Sequence, residues 1–174
     1  LSLELGIHAL TIYAFSQENW NRPTQEISAL MGLLEHYLST ERASLIEQGV
    51  RFRTIGRHEL LPPSAQHWIR TTEKETAHLD KLILTVALSY GGRAEIVDAV
   101  KKLVENVQAG TVHPSRIDET TIQQYLYTHP LQDPDLLIRT SGEARISNFL
   151  LWQLAYTELC FTPTLWPDFR RREF

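Results

Sequence analysis

The sequence predicts an α/β fold in which a central, mostly parallel sheet is covered by helices on both faces. Three observations predict it. Apolar runs alternate along the chain with segments of helical apolar spacing. Several runs are apolar throughout, as strands buried on both faces are. Polar loops follow the apolar runs, and in such sheets ligands bind beyond the carboxyl ends of the strands.

The elements follow in order. Residues 9–15 are apolar and partly β-branched, a buried strand. A polar loop runs to Pro23, where Thr24 is placed to cap the next helix with Glu26 in its first turn. Ile27, Leu30, Met31, Leu34, Leu38, Leu45 and Ile46 recur at helical spacing up to Gly49, a natural stop. Residues 50–55 alternate and predict a strand. Pro62-Pro63-Ser64 opens a helix over 64–78, although Thr72 and Thr76 stand where a core face wants aliphatics. Residues 82–88 form the most apolar strand. Ile96, Val97, Val100, Leu103, Val104 and Val107 mark an amphipathic helix ending before Gly110. Asp118 is placed to cap a short helix to about Tyr127. Residues 135–138 read as a strand, 146–155 as a helix and 157–161 as a strand. No repeat, low-complexity tract or linker interrupts 1–174, so a single domain is expected.

Composition narrows the function. Apolar residues make up 43% and charged residues 22%, ordinary for a globular protein. A net charge of −4 argues against nucleic-acid binding. The single cysteine, Cys160, cannot form an internal disulfide; it suggests a reducing compartment and reads as a small core residue. No apolar run reaches the roughly 18 residues of a membrane span. The seven histidines lack metal-ligand spacing, and no nucleotide-binding or nucleophile-elbow motif occurs.

Three polar loops carry candidate chemistry, and a parallel sheet would put all three on one rim. In Ser16–Pro23, Asn19 can donate and accept, Trp20 offers an apolar wall and Arg22 can bind phosphate; a solvated turn before a helix is the alternative. In Tyr90-Gly91-Gly92-Arg93, paired glycines at a helix start let amides approach an anion; a plain tight turn is the alternative, with Arg93 paired to Glu95 or Asp135. Arg139 and Arg145, with Ser147 beside the second, concentrate cations and hydroxyls in one loop. The planar guanidinium fork matches phosphate or diphosphate oxygens. Surface ion pairs are the alternative. Glu158 is a candidate ligand for a hard cation such as Mg²⁺, or the partner of an arginine.

Together these loops resemble the cis-prenyltransferases, most closely the bacterial undecaprenyl diphosphate synthases. The resemblance rests on Tyr13–Pro23, on Tyr90–Arg93, on Asp135–Glu158 and on Leu165–Phe169, and it covers the chain in order. It implies condensation of isopentenyl diphosphate with an allylic diphosphate, typically farnesyl diphosphate, giving a long cis-polyprenyl diphosphate. The expected product is undecaprenyl diphosphate, a lipid carrier for peptidoglycan and cell-wall biogenesis. By this resemblance Arg139, Arg145 and Ser147 hold isopentenyl diphosphate, while Asn19, Trp20 and Arg22 position the reacting groups. Glu158 helps to bind Mg²⁺. A tunnel between sheet and helices, lined by side chains such as Leu34, Leu82 and Leu84, receives the growing chain; filling the core is the other use for these leucines. A cytoplasmic homodimer touching the membrane through its product is implied.

The chain departs from the family pattern in several places. Asp-Gly-Asn-x-Arg, which carries the principal catalytic aspartate, occurs nowhere in 1–174. Ala144 stands where some members have His, and Ser89 where many have Asn. Both ends read as cut, and the chain as written is expected to be inactive, its function being that of a longer protein. Two rivals are weighed. A non-catalytic partner subunit of a heteromeric prenyltransferase usually lacks the Glu18-Asn19-Trp20-x-Arg22 string, and an unrelated phosphate-binding α/β protein needs no apolar tunnel.

Overall fold

The computed structural model describes residues 1–173. They divide into two compact units, Leu1–Gly91 and the chain from Gly92 onward, each taken here by itself.

The first unit is a parallel three-stranded sheet with two helices. Strands β1 (Ala9–Ser16), β2 (Val50–Ile55) and β3 (Leu82–Tyr90) lie in the order β1-β3-β2, with helices α1 (Thr24–Gln48) and α2 (Pro63–Thr76) in the connections. The most apolar run becomes the central strand because it must be buried on both faces. Ile12 pairs with Val86 and Thr54 with Val86 across it. Phe15, Met31, Leu38, Phe52, Leu61, Ala65, Ile69 and Leu88 form the core.

Two sequence expectations need revision here. Pro23, not Thr24, occupies the cap position of α1, no side chain caps it, and Thr24 is the first helical residue. Proline's fixed φ suits the start of a helix and does without a capping hydroxyl. The helix ends as expected at Gly49, whose φ of 75° suits the left-handed closing turn.

Thr72 and Thr76 do face the core of the first unit, fully buried, and α2 shows why. Their hydroxyls donate to the carbonyls of Trp68 and Thr72, both at 2.8 Å. Thr76 Oγ1 also accepts the Phe52 N–H of β2 at 3.0 Å. One turn away, Glu73 accepts from both Thr54 N and Thr54 Oγ1 at 2.7 Å. The outer edge of β2 thus has its amides satisfied by α2 side chains, which no aliphatic could do.

The second unit contains α3 (Gly92–Gln108), α4 (Glu119–Tyr125) and a parallel pair, β4 (Leu136–Arg139) and β5 (Glu158–Phe161). Asp118 caps α4 as expected, accepting Thr121 N–H at 2.7 Å. The buried face of α3 runs through Gly92, Glu95, Ala99 and Leu103, while Val97, Val100 and Val104 are about half exposed. The valine stripe therefore misplaces the core face, because that face carries a carboxylate.

Residues 146–155 are not a helix; they form a series of turns. Ser147, Asn148 and Leu150 have φ of 50°, 62° and 43°, which a right-handed helix does not admit. Isolated bonds remain, such as Phe149 N–H to Ile146 C=O at 3.1 Å and Leu154 N–H to Leu150 C=O at 3.0 Å. Cys160 is exposed rather than core, as are all four residues of β5. A short strand with one hydrogen-bonded neighbour buries little on either face.

Candidate functional site

In the first unit, β1 and β3 run parallel, with an irregularity in register around Phe15, to Ser16 opposite Tyr90, so the Ser16–Pro23 loop and the end of β3 leave the sheet side by side. Trp20 Nε1–H donates to Ser89 Oγ at 3.0 Å, and its ring meets Phe15 edge-on at 5.0 Å. Trp20 is thereby fixed in orientation, half in the core. Ser89 is fully buried with φ of 48°, a conformation Asn adopts more readily than Ser. Its hydroxyl serves Trp20.

Asn19 Oδ1 accepts the Ser16 N–H at 2.9 Å, which closes the loop's 3-10 turn. Its amide NH₂ remains a donor without a partner among the described residues. Arg22 is exposed and lies 3.9 Å from Glu26, one helical turn on, a pair worth little in solvent. Its guanidinium is thus available to a stronger anion.

Two amides at the Gly91-Gly92 turn are already taken. Gly92 N–H donates to Asn148 C=O at 2.7 Å and Arg93 N–H to Asn148 Oδ1 at 2.9 Å. Gly92 and Arg93, two amides of the expected anion cradle, are therefore occupied by the backbone and side-chain oxygens of Asn148, from within the second unit. Glu95, offered as a partner of Arg93, instead accepts Tyr127 N–H at 2.8 Å and Gln153 Nε2–H at 3.2 Å.

In the second unit, Arg139 ends β4, half-buried, and its guanidinium has no ion pair or hydrogen bond among the described residues. The chain then turns at Ser141 and Gly142, whose amides donate to Thr164 and Thr162 carbonyls at 2.8 and 2.9 Å. It continues to Arg145, exposed and paired with Glu143. Ser147 follows at the head of the left-handed stretch.

Glu158 opens β5 opposite Leu136, whereas Arg139 sits opposite Phe161. The pleat sends Glu158 and Arg139 to opposite faces, about 10 Å apart along the strands. Glu158 is exposed and has no ion pair among the described residues, so pairing with an arginine does not occupy it. No group of three or more His, Cys, Asp or Glu gathers to hold a metal among the described residues.

Leu82 is buried, while Leu34 and Leu84 are partly buried against the main core cluster. Sequence reading missed the buried Glu95–Gln153–Thr128 group and the double acceptance by Asn148. Their signal, a glutamate on the apolar face of α3, was hidden among valines.

Parallel strands with helices in their connections make this an α/β protein. A family model described as putative undecaprenyl diphosphate synthase matches residues 1–174, and the chain belongs to that prenyltransferase family. It is 53% identical over 170 residues to an isoprenyl transferase of Heliobacterium mobile, covering 98% of this chain and 65% of that protein. It is 52% identical over 169 residues to the farnesyl-diphosphate-specific ditrans,polycis-undecaprenyl-diphosphate synthase of Escherichia coli K12, covering 97% of this chain and 67% of that protein. The chain thus spans about two thirds of the length of such relatives.

Among solved structures, lavandulyl diphosphate synthase from Lavandula x intermedia, in complex with dimethylallyl diphosphate, superposes with a TM-score of 0.95 at 40% identity. That match covers 99% of this chain and 75% of the plant protein. A probable undecaprenyl diphosphate synthase from Campylobacter jejuni gives 0.87 at 36% identity, over 99% of this chain and 79% of that one. These relatives are transferases of prenyl groups. No helix among the described residues is long and apolar enough to cross a membrane.

Proposed function

We propose that the whole protein carrying this chain joins isopentenyl diphosphate to an allylic diphosphate, farnesyl diphosphate, and builds undecaprenyl diphosphate for the cell-wall lipid carrier. The observation that carries this reading is the Arg139–Ser147 loop. It begins at a guanidinium without a partner among the described residues, and it returns a second guanidinium and a hydroxyl through a strained turn. The names of the relatives support a synthase rather than a non-catalytic partner subunit. The two units act in this reading as one prenyltransferase domain.

Arg139, Arg145 and Ser147 hold the diphosphate of isopentenyl diphosphate, which suits the bidentate geometry of arginine. Asn19, Trp20 and Arg22 position the reacting groups, Trp20 as a rigid wall and Arg22 as a cation toward the allylic diphosphate. The allylic carbon–oxygen bond breaks and the diphosphate leaves with the electron pair. The isopentenyl double bond supplies the electrons of the new carbon–carbon bond, and a proton leaves the adjacent carbon to give the cis double bond. Arginines aimed at the departing group stabilise the charge it gathers.

Mg²⁺ fits the donor chemistry of Glu158, an exposed carboxylate, if substrate oxygens and water complete its shell. When bound it neutralises charge on a leaving diphosphate. Leu34, Leu82 and Leu84 line the product tunnel. A homodimer in the cytoplasm, peripheral to the membrane that takes up its product, completes the proposal.

Radiolabelled isopentenyl diphosphate incubated with farnesyl diphosphate, Mg²⁺ and the whole protein should yield a ladder of polyprenyl products. Leu82→Ala should change the ladder's length distribution. No incorporation, at any Mg²⁺ concentration, would contradict the reading; an unchanged ladder would remove Leu82 from the tunnel.

A further inference from the structure

Within the second unit, the turn 147–150 places three non-glycine residues in left-handed backbone conformations. Such residues persist only where the surroundings over-determine them. Here the surroundings are the first turn of α3. Asn148 gives its backbone carbonyl to Gly92 N–H and its side-chain oxygen to Arg93 N–H. A Cβ at Gly92 would lie 2.7 Å from Leu151 Cγ and 3.1 Å from Asn148 O, so a side chain there would push on Leu151 and the Asn148 carbonyl. Five residues after Asn148, Gln153 Nε2 donates to the fully buried carboxylate of Glu95 and, at 3.0 Å, to Thr128 Oγ1.

We infer that Asn148 is a positioning residue: by clamping the start of α3 it locks the turn that presents Ser147 and Arg145 to a diphosphate, with Glu95–Gln153 as a second tether. This rests on the diphosphate reading proposed above. Asparagine suits the place twice over. It tolerates a positive φ better than most residues, and its side-chain oxygen satisfies an otherwise orphan helix amide. Ser147, one residue earlier, inherits its backbone direction from this clamp.

The test uses the whole protein with isopentenyl diphosphate as the varied substrate. Asn148→Ala should raise its KM roughly tenfold or more while moving kcat and the KM for farnesyl diphosphate much less. Asn148→Asp keeps the acceptor and should restore KM to within about twofold of the parent. Amide exchange supplies a readout independent of activity. Gly92 and Arg93 N–H should lose protection together in Asn148→Ala and keep it in Asn148→Asp.

An Asn148→Ala protein with unchanged KM, in a background where Arg145→Ala raises it, overturns the proposal. So does an Asp variant as impaired as the Ala variant. If Arg145→Ala also leaves KM unchanged, the diphosphate reading fails instead. The clamp then stands or falls on the exchange of the two amides: joint loss of protection supports it, and retained protection overturns it.

Discussion

The β2–α2 edge and the 145–153 turn both spend side-chain polar atoms on backbone amides, yet to opposite ends. In the first, Thr76 and Glu73 complete a strand edge whose backbone is otherwise regular. In the second, Asn148 and the Glu95–Gln153 pair hold a backbone away from its regular path. The comparison teaches that a polar side chain held on backbone amides is not itself a sign of a site. What separates the two regions is strain: one polar set removes a cost, and the other sustains one of about 1–3 kcal/mol at each left-handed residue.

If that distinction is right, the two regions should break differently. The largest effect is expected from Arg145→Ala in the whole protein. Losing charge-assisted bonds to a diphosphate should weaken isopentenyl diphosphate use roughly tenfold to hundredfold, with little change in the denaturation midpoint. Incorporation kinetics beside urea unfolding would check it; a large loss of stability with unchanged kinetics would reverse the assignment.

Gly92→Ala comes next. The added methyl meets Leu151 and the Asn148 carbonyl, so a loss of about 1–3 kcal/mol in unfolding free energy is expected. Incorporation should fall with it, because the strained turn is displaced. Thr76→Val sharpens the other side. It leaves the buried Phe52 N–H without an acceptor and should cost about 1–3 kcal/mol by urea titration, with kinetics preserved in the folded fraction. Thr76→Ser should recover most of the loss.

Asp118 should give the smallest effect. Hydrogen bonds from the Thr121 backbone and hydroxyl hold its carboxyl below the usual range. A folded-state pKa below the unfolded one adds stability above the unfolded value, and that stability is lost as pH falls through the folded value. Asp118→Ala should therefore lower the thermal midpoint slightly at neutral pH and not at all once the carboxyl is protonated. Melting curves across the acid range would check it.

Much of the fold was legible because burial dictates it. The run 82–88 reads as the most apolar strand and lies at the centre of the three-stranded sheet, and the stripe from Ile27 to Ile46 reads as a helix and is one. The candidate loops were legible as clusters of Arg, Ser and Asn beyond strands. What stayed hidden was conformation. Ile146–Leu154 carries good helix formers and apolar spacing, and nothing local reveals that Asn148 is held by amides more than fifty residues earlier. Glu95 was invisible for a related reason: its partners, Tyr127 and Gln153, are distant in sequence. Cys160 misled because burial of a small residue was inferred from type, while β5 lies exposed.

The central claim is that the Arg139–Ser147 loop grips a diphosphate, and calorimetric titration of isopentenyl diphosphate into the whole protein and its Arg139→Ala variant tests it most directly. The account predicts affinity at least roughly tenfold weaker in the variant, on an unaltered fold. Equal affinities for the two proteins would contradict it.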